Sequence, residues 1–380
     1  MLAALQTQGF DVRDGGVVAP AEIDKERVRA LAAASVAQAV DRAQRGLARH
    51  ERRLLGYLAD GRALRTDAIE PRLVEVAPST EEELLFRWAR LHWSVPTGSG
   101  YGRRLRFLVM DSHNDKLIGL LGFGDPVFSL GPRDAWVGWD RRRRLTALRS
   151  ILHVHLLGAV PPYSQLLGAK LVALLAVSTE VRMAFGARYE GRATVVSGAR
   201  QDGRLALLTT IGSLGRSSVF NRLRYGDETV GTGRLVWQRA GHTLGTAQYH
   251  FDHELQAALA AYGMAHCRLT SKPASWGKGP RSRREAIDKA LVAIGIDLSA
   301  LAYGKREVWC APLAANATAF LRGEDDHLRP FAETAEQLAS HWRERWLLPR
   351  IETERRHRSF RPSSWRLWDV AALGVSARPG

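Results

Sequence analysis

Cysteine is almost missing from this chain: Cys267 and Cys310 are two in 380 residues. That is too few for a disulfide framework or a four-cysteine zinc site. No run of about 18 apolar residues is present to span a bilayer, so no membrane partner is expected. Residues 1–10 lack the charged start and long apolar stretch of a secretory signal. A reduced, cytoplasmic setting is the expectation. Acids are scarce too: 39 Asp and Glu face 55 Lys and Arg, a net charge of +16.

What is present follows from that imbalance. The sequence pI is near 10.5, and cationic side chains displace the counterions condensed on phosphates, so nucleic acid, DNA first, is the expected partner. Most of the excess is arginine, whose planar fork grips phosphate or a guanine edge at two points. The plainer reading is that a GC-rich coding sequence inflates the arginine count. With 45% hydrophobic and 25% charged residues, the chain is ordinary globular protein with a sizeable core.

Early proline and acids at 20–24 open a helical pattern that runs to about residue 58. Ser79 or Thr80 caps a second helix reaching Trp93. Texture changes at Arg103. Residues 105–110 and 116–122 read as a hairpin about a turn at 112–115. Further strands are expected at 136–139, 152–157, 193–197 and 205–210, with a helix at 164–176 and a short one at 217–223. Residues 229–238 and 242–251 read as a final strand pair. Helices at 252–262, 285–294 and 332–348 and a strand at 307–310 follow, with a basic loop at 272–284 and an Arg/Trp-rich tail. The division expected is a helical N-terminal region at 1–100, an α/β core at 103–255 and a basic C-terminal region at 256–380.

Several motifs resemble the Druantia DruA family of bacterial anti-phage defence. They are Leu117-Ile-Gly-Leu-Leu-Gly-Phe123, Gly131-Pro-Arg-Asp134 with Val137-Gly-Trp139, and the run from Leu157 through Pro161-Pro-Tyr163 to Leu171. Gly215-Arg-Ser-Ser-Val-Phe-Asn221, Tyr225-Gly226 and Gly231-Thr-Gly233 complete the set. The resemblance spans about residues 10 to 370. It implies phage defence or a mobile-element context, DNA as target and other defence proteins as partners, and it supplies no agreed catalytic residues.

A looser resemblance is to the GNAT acyltransferase fold, in which a helix N-terminus binds the coenzyme A pyrophosphate through free amides. Gln165-Leu-Leu-Gly168-Ala169-Lys170 matches its first glycine but places Lys170 where a small residue belongs. Residues 221–226 resemble the GNAT segment in which an Asn helix ends in an aromatic-Gly turn. The fold class expected is therefore α+β, a GNAT-like mixed central sheet with a helical N-terminal region and a basic C-terminal extension.

Candidate site residues fall into two groups. Arg141, Arg142, Arg143 and Arg144 form a run that would clamp a DNA backbone; the plainer reading is a solvated helix start. Lys272, Lys278, Arg281, Arg283 and Arg284 surround Trp276, a pattern that tracks phosphates while the indole stacks on an unpaired base, unless it is a basic linker. Lys170, Arg216 and Arg224 are further phosphate contacts, with Asn221 beside them as contact or cap. Trp342, Trp346, Phe360, Trp365 and Trp368 alternate with cations in the tail, either as nucleic-acid contacts or as packing anchors.

For catalysis, Tyr163 is the candidate nucleophile on a phosphodiester, and Asp140 a ligand for a divalent metal such as magnesium if the protein cleaves DNA. His153-Val-His155 alternates on one strand face and resembles the paired histidines of HUH nickases. Tyr163 stands too near for their separate tyrosine helix, so two histidines at a sheet edge is the simpler reading. His250, Asp252 and His253 read more simply as a strand end than as metal ligands. Three functions stay open: a DNA-binding defence protein, a nuclease- or transposase-like enzyme, and an acyltransferase acting at 165–170.

Overall fold

The computed structural model describes residues 2–13, 16–18, 24–98, 100, 102–194, 198–214, 217–226, 233–244, 251–270, 280–302 and 304–368. It is a mixed α+β fold built on a seven-stranded sheet. The strands of that sheet are β1 (Pro71–Glu75), β2 (Leu105–Asp111), β3 (Lys116–Gly124), β4 (Ile151–Ala159), β5 (Leu207–Ile211), β6 (Gln238–His242) and β7 (Glu307–Pro312). Their order across the sheet is β6-β7-β5-β4-β3-β2-β1. All neighbours are antiparallel except β4 and β5, which run parallel.

Period-two alternation divides the side chains of β2 between the two faces of the sheet. Leu105, Phe107 and Val109 face one apolar cluster with the helices Gly168–Leu175, Thr179–Tyr189 and Ala335–Trp342, while Leu108 and Met110 face another with Leu85, Phe86 and Trp88. Both sheet faces are covered, which explains the near-continuous burial of β2 and β3.

The helix Lys25–Leu47 starts where its acids suggest: the Asp24 carboxylate accepts from Arg27 N at 2.7 Å. Val28 and Leu31 share a cluster with Leu255 and Leu259 of the helix His253–His266 and with Leu291 of Pro280–Ala293. The sheet likewise takes β1 from the first hundred residues and β7 from the C-terminal region, so its core is assembled from the whole chain.

Four local expectations differ. Residues 136–139 are not a strand; Gly131–Val137 is a helix with Pro132 in its first turn and left-handed Gly138 (φ +77°) ending it. Residues 217–223 form turns rather than a helix. The helix at 164–176 is broken at Leu167, whose φ is +60°, into a short 3₁₀ turn and Gly168–Leu175. β6 pairs with β7, far along the chain, and among the described residues not with residues after 242; positions 229–232 and 245–250 of the expected pair, like 195–197, lie outside the described residues.

Candidate nucleic-acid interface and the cleft in the sheet

The four-arginine run begins the helix Arg141–Ala147, and Asp140 is its cap, accepting from Arg143 N at 2.6 Å. The helix period splits the run. Arg143 turns inward and donates to the carbonyls of Leu321 (2.9 Å) and Phe320 (3.0 Å). Arg144 pairs with Asp134 at 2.8 Å and stacks over Phe128. Arg141 and Arg142 are exposed, and among the described residues no carboxylate pairs with them.

Asp134 is the centre of a knot. It also holds fully buried Arg133, whose guanidinium donates to the carbonyls of Val127 and Phe128, and accepts from Trp139 Nε1 at 3.1 Å. The Gly131-to-Trp139 motif is thus spent on internal bonding.

Tyr163 is completely buried. Its hydroxyl donates to Asp111 Oδ2 at 2.7 Å and accepts from Asn114 Nδ2 at 3.1 Å. Burial, with the Asp111 charge beside it, pushes the phenol far above its ordinary pKa. A hydroxyl so placed has no path to a phosphodiester and resists the ionisation a nucleophile needs. Tyr163 and Asp140 are not brought together, and among the described residues no three His, Cys, Asp or Glu side chains are grouped to hold a metal.

Lys170 also turns away from solvent. Its ammonium donates to the carbonyls of Val219 (3.0 Å), Asn221 (2.9 Å) and Ser218 (3.4 Å), and burial lowers its pKa. It anchors the 217–221 segment from behind. At the turn before it, Ser164 N bonds Val160 O, Gln165 N bonds Pro162 O and Lys170 N bonds Leu167 O. Much of an amide cradle there is already used.

Arg224 lies half-buried in a two-residue strand, its carbonyl accepting from His341 Nε2 at 2.9 Å. Arg283 is half-buried and Arg284 exposed on the helix Pro280–Ala293, Arg284 standing 3.7 Å from Asp288. Arg216, Lys272, Trp276, Lys278 and His250, with the side chain of Arg281, lie outside the described residues. Asp252 caps the helix beginning at His253, accepting from Leu255 N at 2.8 Å. In the tail, Trp342, Phe360 and Trp368 are buried, and Trp365 stacks on His92 with centroids 3.9 Å apart. These aromatics are packing anchors.

One site escaped the sequence reading. Beyond the parallel pairing of β4 with β5, the strands part around a cleft of roughly 500 Å³. Lys25, Arg29 and Arg306 line it together with His153, His155, Trp93, Phe220, Ser217 and Ser218, and no carboxylate is among its lining residues. Trp93 closes one wall by packing on Gly158, where a Cβ would sit 2.8 Å from the indole. Burial holds both imidazoles near a pKa of about 4, helped at His153 by His155 and Arg306 and at His155 by Arg106 and Arg90. They are neutral at pH 7. The alternating His-Val-His was the visible signal, and its cationic neighbours come from elements far away in sequence.

Comparison with known proteins follows the motifs. The family model described as Druantia protein DruA matches residues 22–323. A Druantia protein DruA from Escherichia coli (strain UMEA 4076-1) is 35% identical over 373 residues, covering 97% of this chain and 88% of the relative. No solved structure matches.

Proposed function

The chain belongs to the Druantia protein DruA family, and from that premise we propose that it is the DNA-contacting component of a Druantia anti-phage system. The observation that carries this reading is the surplus of +16, with Arg141 and Arg142 left exposed where Arg143 and Arg144 are consumed internally. Cations that serve no internal bond are the ones available to displace counterions from a phosphate backbone. Arg284 and Arg283, with Arg281, Lys272, Trp276 and Lys278 before them in the sequence, are the second contact segment, and Arg216 and Arg224 are further contacts.

Fluorescence anisotropy with labelled duplex and single-stranded DNA, at two salt concentrations, tests the proposal. Salt-sensitive binding supports it, and no binding at low salt ends it. A magnesium-containing arm separates binding from strand cleavage. Cleavage would have to use residues other than buried Tyr163.

The central sheet supports a GNAT-like reading of the fold. A four-stranded antiparallel run, one parallel pair at the fourth and fifth strands and the last strand beside the fifth make it a mixed central sheet, the class that resemblance implies. The opening between β4 and β5 also keeps an acyltransferase as the second reading. Against it stand the spent amides and the Lys170 ammonium, already held by three carbonyls, at the turn where a pyrophosphate would bind. A thermal shift with acetyl-CoA decides it.

A further inference from the structure

The sheet is interrupted in its middle. β4 pairs with β5 over only three positions, Ile151 to Leu207, Leu152 to Leu208 and His153 to Thr209. The Thr210 hydroxyl then donates to Val154 O at 2.8 Å, marking the fork. Past it the continuation of β5 follows β7, with Gly212 N donating to Glu307 O at 2.9 Å. β4 continues to Ala159 against β3. Its other edge, along 154–157, faces the cleft. Main-chain donors and acceptors on such an edge take a partner or water, and a concave cleft with convergent polar groups beside apolar surface is the usual form of a ligand site.

The lining defines the ligand's chemistry. Lys25, Arg29 and Arg306 line the cleft and no carboxylate does, although Arg29 also pairs with Glu26 on its own helix, so the lining favours an anion. Trp93 and Phe220 add aromatic surface for a planar ring. Neutral His153 and His155 add uncharged ring surface beside the aromatic walls, with His153 Nδ1 3.5 Å from Thr209 Oγ1. The two walls are fixed in advance. Lys170 holds 218–221 from behind, Glu307 Oε2 accepts from Ser217 N at 3.1 Å, and Trp93 is seated on Gly158.

We propose that this cleft is a nucleoside-phosphate site that takes one unpaired nucleotide from the end of a DNA strand. Lys25, Arg29 and Arg306 hold the phosphate, and the aromatic walls and imidazoles take the base. The source of the nucleotide rests on the DNA-contact reading above; the anion-and-ring chemistry of the cleft does not. A small nucleotide cofactor such as coenzyme A shares that chemistry, so the test needs an arm for each source.

The experiment compares a blunt duplex with the same duplex carrying a two-nucleotide single-stranded overhang, in anisotropy, with dAMP and coenzyme A as competitors. The overhang should bind about tenfold tighter, the scale of one charge-assisted contact, and dAMP should erase that preference. Lys25→Ala/Arg29→Ala, on the partly exposed first turns of a helix, should remove the preference and leave blunt-duplex affinity within about twofold. Blunt binding with no overhang preference, or a preference that survives the double substitution, overturns the nucleotide site and spares the DNA-contact reading. Loss of binding to both duplexes overturns both. Displacement of a bound fluorescent nucleotide by coenzyme A but not by overhang DNA assigns the cleft to a cofactor and overturns the proposal.

Discussion

The Tyr163 hydroxyl donates to Asp111 Oδ2 at 2.7 Å inside a fully buried pair. Asp111 also accepts from Glu70 N (3.0 Å) and His113 N (3.2 Å), so one carboxylate ties the start of β1, the β2–β3 turn and the segment after β4. Tyr163→Phe should lower stability by about 1–2 kcal/mol, because the carboxylate loses one of its donors. Urea unfolding measures this. DNA binding per folded molecule should be unchanged, and a DNA adduct lost in the variant would contradict the structural role.

Arg144 and Arg141 stand on one helix but differ in kind. Arg144 pairs with Asp134 while largely shielded, and Arg141 is exposed. Arg144→Ala should cost about 1–2 kcal/mol and Arg141→Ala less than about 0.5 kcal/mol. Equal melting temperatures for the two variants would refute the split.

Glu51 is buried and accepts from Trp88 Nε1 (3.1 Å), Leu367 N (2.7 Å) and Trp368 N (3.2 Å). It docks the C-terminal segment on the N-terminal helices. Glu51→Ala strands two buried donors and one part-buried donor and should cost about 3 kcal/mol. Limited proteolysis should then cut the 355–368 segment first; protection equal to wild type would contradict the docking role.

His92, His153 and His155 each have a pKa lowered to about 4, burial being the first cause in all three. Unfolding restores the ordinary value near 6.5, so between those limits the unfolded chain binds more protons. Stability should hold above about pH 6.5 and fall as pH drops towards 4. His155→Asn should reduce the slope of urea stability against pH in that window, and an unaltered slope would show that His155 is not buried neutral.

The sequence foretold the elements that carry their own local signals. Asp24 and Thr80 cap helices as their types suggest, and the two apolar runs Leu105–Asp111 and Lys116–Gly124 about a polar turn mark a hairpin. β1 was missed because it is a short edge strand that opens with Pro71 and shows Arg72 and Glu75 to solvent. Thr179–Tyr189 was missed as well, because its apolar residues are spread around the helix: Val181, Phe185 and Tyr189 are buried while Met183 is exposed. The β6–β7 pairing depends on strands far apart in the chain, which no local pattern reports. The site divided along the same line. A run of arginines is visible in sequence, but which of them face inward depends on Asp134 and on the helix Ala317–Arg322. The cleft gathers Lys25, His155 and Arg306 from three distant segments.

DNA contact through arginines left over from internal bonding is tested most directly by the salt dependence of duplex affinity in wild type and in Arg141→Ala/Arg142→Ala. Each phosphate contact contributes about 0.9 to the slope of log K against log salt. Wild type should show a steep negative slope that flattens by nearly two in the double variant, with the melting temperature held. Equal slopes and affinities for the two proteins would contradict it.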